Sequence, residues 1–225
     1  MRKLSPRLRV FIGVAVVLAL IVVGRFLFFG GQDTSADSAR GPEHARIEQL
    51  RQAKDLAGLG TQAAHTNERV ARLAVGAMGR LGAEAVPKIE RALEDKRPRV
   101  RERAATAYAQ AARHDQAAPL AKLVREDASP NVRAAAVAGL GRLCAFDEME
   151  SILAAMDDPD VAVRRRASKA ATRIACVIVG YQADDPVAKR HAAIRRMRAH
   201  WAKERGSARQ YWMMILKNRE AKKTN

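Results

Sequence analysis

The stretch Val132-Arg-Ala-Ala-Ala-Val-Ala-Gly-Leu-Gly-Arg-Leu143 decides the fold, because its pattern recurs along the chain. Apolar residues at its first, fifth, ninth and twelfth positions fall on one face of an α-helix, and the small fifth residue lets a neighbouring helix approach closely. The segments 70–81, 100–111 and 163–174 share the pattern, and the four starting valines are 30, 32 and 31 residues apart. The chain is therefore predicted to be all-α and built from helical repeats.

A second amphipathic helix is predicted after each of the first three segments. Its apolar residues are Val86, Ile89 and Leu93, then Leu120, Leu123 and Val124, then Met149, Ile152, Leu153 and Met156. About four helical hairpins are thus expected over residues 67–180. Asn67, Ser129 and Asp158 are predicted to cap the first helices of their hairpins, the latter two with a proline at the next position.

These repeats resemble the HEAT repeat family, in the short form of about thirty residues found in phycobilisome bilin lyases and many bacterial proteins. The resemblance rests on an acid, a proline and Val-Arg in Asp95-Lys-Arg-Pro-Arg-Val-Arg101 and in Asp127-Ala-Ser-Pro-Asn-Val-Arg133. Residues 158–164 and 67–71 match less well. The resemblance implies a right-handed α-solenoid. It also implies, as one alternative function, chromophore attachment like that of the bilin lyases.

An arginine recurs once per repeat, in step with an aspartate. The residues are Asp95, Asp127 and Asp158, and Arg101, Arg133 and Arg164. We predict a structural ladder in which each arginine pairs with an acid at a neighbouring inter-repeat turn, because charge-assisted pairs satisfy both partners. The alternative is that the arginines form an anion-binding stripe.

The formal charge of +17 lies mostly at the two ends of the chain. Residues 1–31 carry five Lys/Arg and no acid, and residues 187–225 carry twelve Lys/Arg and two Glu. Residues 32–186 carry 24 Lys/Arg and 22 Asp/Glu, so the repeats are nearly neutral. This distribution disfavours a positive groove along the solenoid, and no nucleic acid partner is expected.

Residues 1–31 are predicted to form a membrane anchor. Four basic residues precede an apolar segment, and residues 10–31 would form a helix of about 33 Å, long enough to span a bilayer core. By the positive-inside rule the N-terminus stays in the cytoplasm, which would place the repeats in the periplasm of a bacterium as a single-pass inner-membrane protein. The alternative is a signal peptide cleaved near Ala36, followed by secretion. Residues 32–42 are predicted to be a flexible linker.

Both ends of the repeat array are predicted to be capped by helices. Residues 43–66 would form an N-terminal capping helix, and residues 181–225 basic capping helices and a tail, with Val187, Ile194 and Met197 on the packed side. Within this tail, 211–216 is apolar and has basic flanks, so it would either finish the core or bind a membrane surface or an acidic partner. The candidate contact residues are Trp201, Arg209, Tyr211, Trp212, Met213, Lys217 and Arg219.

No motif of common enzyme, nucleotide, zinc or calcium sites occurs, and the five histidines are scattered singly. Cys144 and Cys176 end equivalent helices, where they are expected to be small buried residues, with a disulfide as the alternative. We predict a non-enzymatic, membrane-anchored scaffold that binds an unidentified protein and needs no cofactor, metal or small-molecule substrate. A binder of anionic lipid or polyanions through the C-terminal segment is a further alternative.

Overall fold

The computed structural model describes the backbone of residues 41–224 and the side chains of residues 41–218. The chain divides into two compact units, residues 1–45 and 46–225, and the fold below is that of the second. The predicted anchor, 1–31, and nearly all of the predicted linker, 32–42, lie outside the described residues. Within residues 41–224, no helix combines the length and apolar character needed to cross a bilayer.

Helices joined by short connections make up nearly all of the described backbone. They are α1 (Gly41–Gln52), α2 (Leu56–Ala63), α3 (Glu68–Gly79), α4 (Val86–Ala92), α5 (Pro98–Ala111), α6 (Ala118–Glu126), α7 (Pro130–Leu143), α8 (Met149–Ala155), α9 (Val161–Ala175) and α10 (Val187–Thr224). Single 3-10 turns precede α4, α6 and α8, at Ala83–Ala85, His114–Gln116 and Phe146–Glu148.

The four predicted first helices are α3, α5, α7 and α9, and the predicted second helices are α4, α6 and α8. Each first helix packs against the next, and each second helix packs mainly against the first helix of the following repeat. The residues that gave the sequence pattern, such as Val132, Ala136 and Leu140 of α7, are fully buried. This architecture confirms the coarser part of the predicted fold class, an all-α repeat solenoid.

Small residues bring neighbouring first helices into close contact. A Cβ atom added to Gly141 would lie 2.8 Å from the Cβ of Ala170 on α9, and one added to Gly79 would lie 2.9 Å from the Cβ of Ala107 on α5. Gly79 and Gly141 occupy the same position in their repeats. The first helices therefore stack in the same direction, and one side of each is packed too tightly to admit another methyl group.

Two of the three predicted N-caps are at the positions expected. Asn67 accepts hydrogen bonds from the amides of Arg69 and Val70, and Ser129 precedes α7, although its hydroxyl makes no capping bond. The prediction for Asp158 is wrong, because Asp160 caps α9 and accepts hydrogen bonds from the amides of residues 162 and 163. The carboxylate of Asp158 is instead bound by an arginine of the preceding repeat.

The two ends differ from the predicted caps. The single helix expected over 43–66 is interrupted by Ala53–Asp55, where Lys54 has a positive φ and Asp55 caps α2 through the amide of Gly58 at 2.8 Å. At the other end α10 is one helix of 38 residues that continues through Gly206. Glycine lowers helix propensity by only about 1 kcal/mol, which the packing of residues on both sides of Gly206 offsets.

Candidate partner-binding site

The predicted arginine ladder forms two rungs inside the solenoid. The guanidinium of Arg101 donates to both carboxylate oxygens of Asp127, at 2.7 and 3.0 Å, and Arg133 binds Asp158 in the same way, at 2.8 and 2.9 Å. A third nitrogen of each arginine donates to the carbonyl six residues before it, at 2.8 and 2.9 Å. Each arginine thus ties the turn that enters its own repeat to the turn of the next.

Both rungs are largely shielded from water. The side chains of Asp127 and Asp158 are only 4% and 8% exposed, and those of Arg101 and Arg133 are 17% and 14% exposed. Burial by itself raises the pKa of Asp127, but hydrogen bonds from Arg101 and the amide of Ser129 outweigh this, so its pKa lies below the usual value. These four residues are saturated with partners, which favours the structural interpretation over an anion-binding stripe.

The ladder ends differently at its two extremes. No carboxylate of the described residues binds Arg164, which donates instead to the carbonyl of Ala183 at 2.8 Å. Asp95 is bound by Arg97 from its own turn rather than by an arginine of the repeat before it. The sequence offers the reason, because the position in α3 that corresponds to Arg101 is Ala71, which is fully buried.

Arg97 completes the first junction from the opposite side. Its guanidinium donates to the carbonyls of His65 and Thr66 at 2.8 and 3.2 Å while it also binds Asp95. Those carbonyls correspond to the ones that Arg101 and Arg133 bind in the later junctions. Sequence reasoning missed Arg97, although a ladder position occupied by alanine beside an Asp95-Lys-Arg97 turn is a readable signal.

The C-terminal candidate residues divide between two faces of α10. Trp212 is 9% exposed, and its indole nitrogen donates to the carbonyl of Ile174 at 2.9 Å, in the last turn of α9, where a helix leaves carbonyls without partners. Ile194 and Met197 are buried on the same face, as predicted, whereas Val187 is 53% exposed and lies outside the core. Trp212 is therefore an anchor of the fold rather than a contact residue.

The opposite face of the same segment is open. Tyr211, Met213 and Met214 are 47%, 44% and 54% exposed, and Lys217 is also exposed. The side chain of Arg219 lies outside the described residues. The apolar run at 211–216 is thus partly buried and partly exposed to solvent, because a helix places consecutive residues on different faces.

A groove of about 530 Å³ lies between the start of α8 and the middle of α10. We call it the C-terminal groove. Its lining residues are Phe146, Asp147, Met149, Glu150, Arg198, Trp201, Ala202, Arg205, Gly206 and Arg209. Two predicted contact residues, Trp201 and Arg209, are brought together here. The other groove residues were not singled out from the sequence, because those on 146–150 and those on α10 meet only in the folded chain.

One ion pair crosses the C-terminal groove near each of its two ends. Arg198 binds Glu150 at 3.1 Å, and Arg209 lies 3.9 Å from Asp147 with its guanidinium carbon 5.2 Å from the centre of the Phe146 ring. Between them Ala202 and Gly206 contribute almost no side chain, and a Cβ added at Gly206 would meet nothing within 4 Å. The groove therefore combines apolar and charged walls around an open floor, as protein contact sites do.

The histidines and cysteines do not assemble a reactive centre in the described part of the chain. No group of three or more His, Cys, Asp or Glu residues is placed to hold a metal within it. His191 and Arg190 both bind Asp157, at 2.7 and 3.0 Å, which ties the start of α10 to the end of α8. No disulfide joins Cys144 to Cys176, and the expectation that both are buried is wrong for Cys176, which is exposed.

Comparison with known proteins agrees with the repeat architecture. A family model described as HEAT repeats matches residues 56–141, so the matched range begins at α2, which the sequence analysis had assigned to the N-terminal cap. No curated protein is significantly similar to the chain in sequence.

Solved structures of similar shape include a phycocyanin lyase complex and designed proteins. The complex of CpcE and CpcF of phycocyanin lyase from Nostoc sp. PCC7120 is 21% identical, with a TM-score of 0.49 over 65% of this chain and 99% of that one. A designed armadillo repeat protein in complex with the peptide (KR)4 is 21% identical, with a TM-score of 0.43 over 72% and 78%. The chromophore-attachment alternative stays a prediction.

Proposed function

A family model of HEAT repeats matches residues 56–141, and from this premise we propose that the protein is a non-enzymatic, membrane-anchored scaffold that binds a partner protein through the C-terminal groove. The observation that carries the proposal is the groove itself. It is open and lies against the helix that closes the array, and it holds a cation, Arg205, whose guanidinium has no partner among the described residues.

The chemistry of the groove favours a short protein segment with an apolar residue next to an acidic one. Trp201 and the stem of Arg209 would flank the apolar side chain, and Arg205 would bind the carboxylate. Aromatic and arginine residues are enriched at protein interfaces because they combine a large contact area with directional hydrogen bonds. Phe146 and Met149 of the opposite wall are buried and therefore fixed before the partner arrives, which reduces the entropy lost on binding.

The proposal is tested by filling the groove in the full-length protein. Gly206→Leu adds a side chain where space is open and raises helix propensity, so the fold is retained. Ser207→Leu is the matched control, because it adds the same side chain at the next position, which is exposed and does not line the groove. Each protein is expressed in the organism that it comes from and purified in detergent. The proteins that copurify with it or cross-link to it are then identified.

A partner that the wild type and Ser207→Leu capture, and that Gly206→Leu does not, would support the proposal. Equal capture by both variants would show that the partner binds elsewhere. If no protein is captured or cross-linked by any of the three, the scaffold function itself is refuted.

The membrane anchor and the periplasmic placement of the repeats are part of the proposal. They rest on the apolar residues 10–31 and the basic residues before them. Alkaline extraction of membranes followed by protease treatment of spheroplasts would test both. The expected result is a protein that stays with the membrane and whose repeats are digested from outside, whereas a soluble, shortened chain would indicate cleavage near Ala36.

A second candidate function is favoured by the open face of α10. Tyr211, Met213 and Met214 are exposed between Arg209 and Lys217, a combination typical of helices that lie on an anionic membrane surface. Full-length protein in neutral proteoliposomes would then cluster added anionic vesicles in a salt-sensitive manner. The double substitution of Met213 and Met214 by serine should abolish clustering. Deletion of the tail is unsuitable, since Trp212 belongs to the core.

A further inference from the structure

The near-neutral charge of residues 32–186 conceals a separation of charge between elements. The first helices α3, α5, α7 and α9 carry twelve Lys/Arg and only two acids, Glu68 and Glu102. Two of the aspartates that balance them, Asp127 and Asp158, lie in the turns, where ladder arginines bind them. The outward faces of the first helices are therefore basic even though the repeats as a whole are not.

Several arginines on these faces have no counter-ion among the described residues. Arg142, Arg166 and Arg173 are exposed and form no ion pair or side-chain hydrogen bond there. Arg103 is half-buried over Gly76, and its pKa is lowered by burial and by the nearby charges of Arg80 and Arg72. Like charges held close together create a field that attracts an anionic ligand.

Three of these arginines border a second groove, of about 410 Å³, between α5, α7 and α9. We call it the arginine groove. Its floor is formed by small residues of α7, among them Ala134, Ala135 and Ala138, which leave the groove open along the helix. Thr106 and Asn131 add neutral hydrogen-bonding groups to its walls. The groove thus offers cations at its rim and amide or hydroxyl groups that suit a polypeptide backbone.

We propose that the arginine groove binds an extended acidic segment of a partner protein. The inference rests on the proposed scaffold function and deepens it by naming a second contact surface and its ligand. All the cations that line the groove are arginines, whose planar guanidinium groups bind carboxylates through two parallel hydrogen bonds.

The spacing of the arginines agrees with an extended peptide. Arg166 and Arg173 are seven residues apart on α9, which corresponds to about 10.5 Å along the helix axis. In a polyproline II segment, every third side chain points the same way and recurs at about 9.3 Å. A peptide with an acidic residue at every third position would therefore match both guanidinium groups with small side-chain adjustments.

Other anionic macromolecules fit the arginine groove less well. Single-stranded nucleic acids are bound largely by aromatic side chains on which bases stack, and no aromatic residue lines the groove. A membrane surface requires apolar side chains that insert among the lipids, and the floor here is alanine and glycine.

Full-length protein in neutral detergent micelles allows a direct test. The probe is a fluorescent twelve-residue peptide with glutamate at every third position and proline or alanine elsewhere, and its comparator has glutamine in place of glutamate. We expect fluorescence anisotropy to show saturable binding of the glutamate peptide that weakens with salt, and none of the glutamine peptide.

Variants of the arginine groove should change this binding in opposite directions. Arg142→Gln and Arg173→Gln, each made singly, should raise Kd about tenfold, and Ala138→Leu should do the same by filling the floor without changing the charge. Glu102→Gln should lower Kd a few-fold. Arg195→Gln is the charge-matched control, because Arg195 is exposed and does not line the groove. Thermal unfolding of each variant checks that the fold is retained.

The proposal is overturned if the glutamate peptide does not bind, or if Arg195→Gln weakens binding as much as the groove variants do. It is also overturned if an oligonucleotide or anionic vesicles bind in a groove-dependent way and the peptide does not. These failures are distinct from failure of the scaffold function. Partner capture that depends on Gly206 and persists in the arginine variants would leave that function intact.

Discussion

Arginines at the inter-repeat turns and arginines on the faces of the first helices contrast sharply. Arg133 is 14% exposed and binds both oxygens of a nearly buried carboxylate, whereas Arg142, nine residues later on the same helix, is exposed and has no ion pair among the described residues. The first kind holds adjacent repeats in register. The second kind contributes charge that the fold does not use, which is why it is available to a ligand.

The largest expected effect is on stability, and it separates the two kinds of arginine. Arg133→Ala leaves Asp158 buried without its cation, and should lower the free energy of unfolding by about 3 kcal/mol, as loss of one partner of a buried ion pair does. Arg142→Ala should change it by no more than about 0.5 kcal/mol. Urea unfolding followed by circular dichroism would measure both, and equal losses would remove the distinction.

Packing between first helices can be tested in the same way as charge, by comparing a closely packed glycine of α7 with an open glycine of α10. Gly141→Ala places a methyl group 2.8 Å from Ala170 and should lower the free energy of unfolding by about 2 kcal/mol through overpacking. Gly206→Ala in α10 is the control, because nothing lies near the added methyl group and helix propensity should raise stability by about 0.5–1 kcal/mol. Thermal unfolding of both variants provides the measurement.

Replacing an arginine on the face of a first helix should change the stability in the opposite direction from replacing an arginine at an inter-repeat turn. Arg103→Met keeps an unbranched side chain over Gly76 and removes a cation whose neighbours are Arg72 and Arg80. Stability should therefore rise by about 0.5 kcal/mol, the size of interactions between partly exposed charges. If Arg103→Met instead destabilised the protein as Arg133→Ala does, Arg103 would belong with the structural arginines.

The smallest effect expected is on the response to acid. Because the folded pKa of Asp127 lies below its ordinary value of 3.8, the carboxylate stabilises the fold above that pH and loses its contribution as the pH falls through the lowered pKa. Asp127→Asn should make the decline in unfolding free energy below about pH 4 less steep. Asp184→Asn, at an exposed carboxylate, is the control.

Sequence periodicity located the first and second helices because each repeat must bury one face of each helix against its neighbours. It failed at the ends of the array, where no next repeat imposes the pattern. The break at Ala53–Asp55, the unbroken passage of α10 through Gly206 and the capping role of Asp160 all depend on local competition between caps and packing. Of the C-terminal groove, only Trp201 and Arg209 were predicted from the sequence. The other wall was missed because its residues lie about fifty positions earlier in the chain.

The sequence by itself determined that the chain folds as stacked helical hairpins, since the spacing of valine, alanine and leucine leaves no other way to bury its apolar residues. It also determined the pairing of Arg101 and Arg133, because the aspartates recur in step with them. Only the tertiary structure decided which arginines lack a partner and which aromatic residues are buried. Ion pairing and exposure depend on distances between side chains of different repeats, and counting charges along the sequence does not reveal those distances.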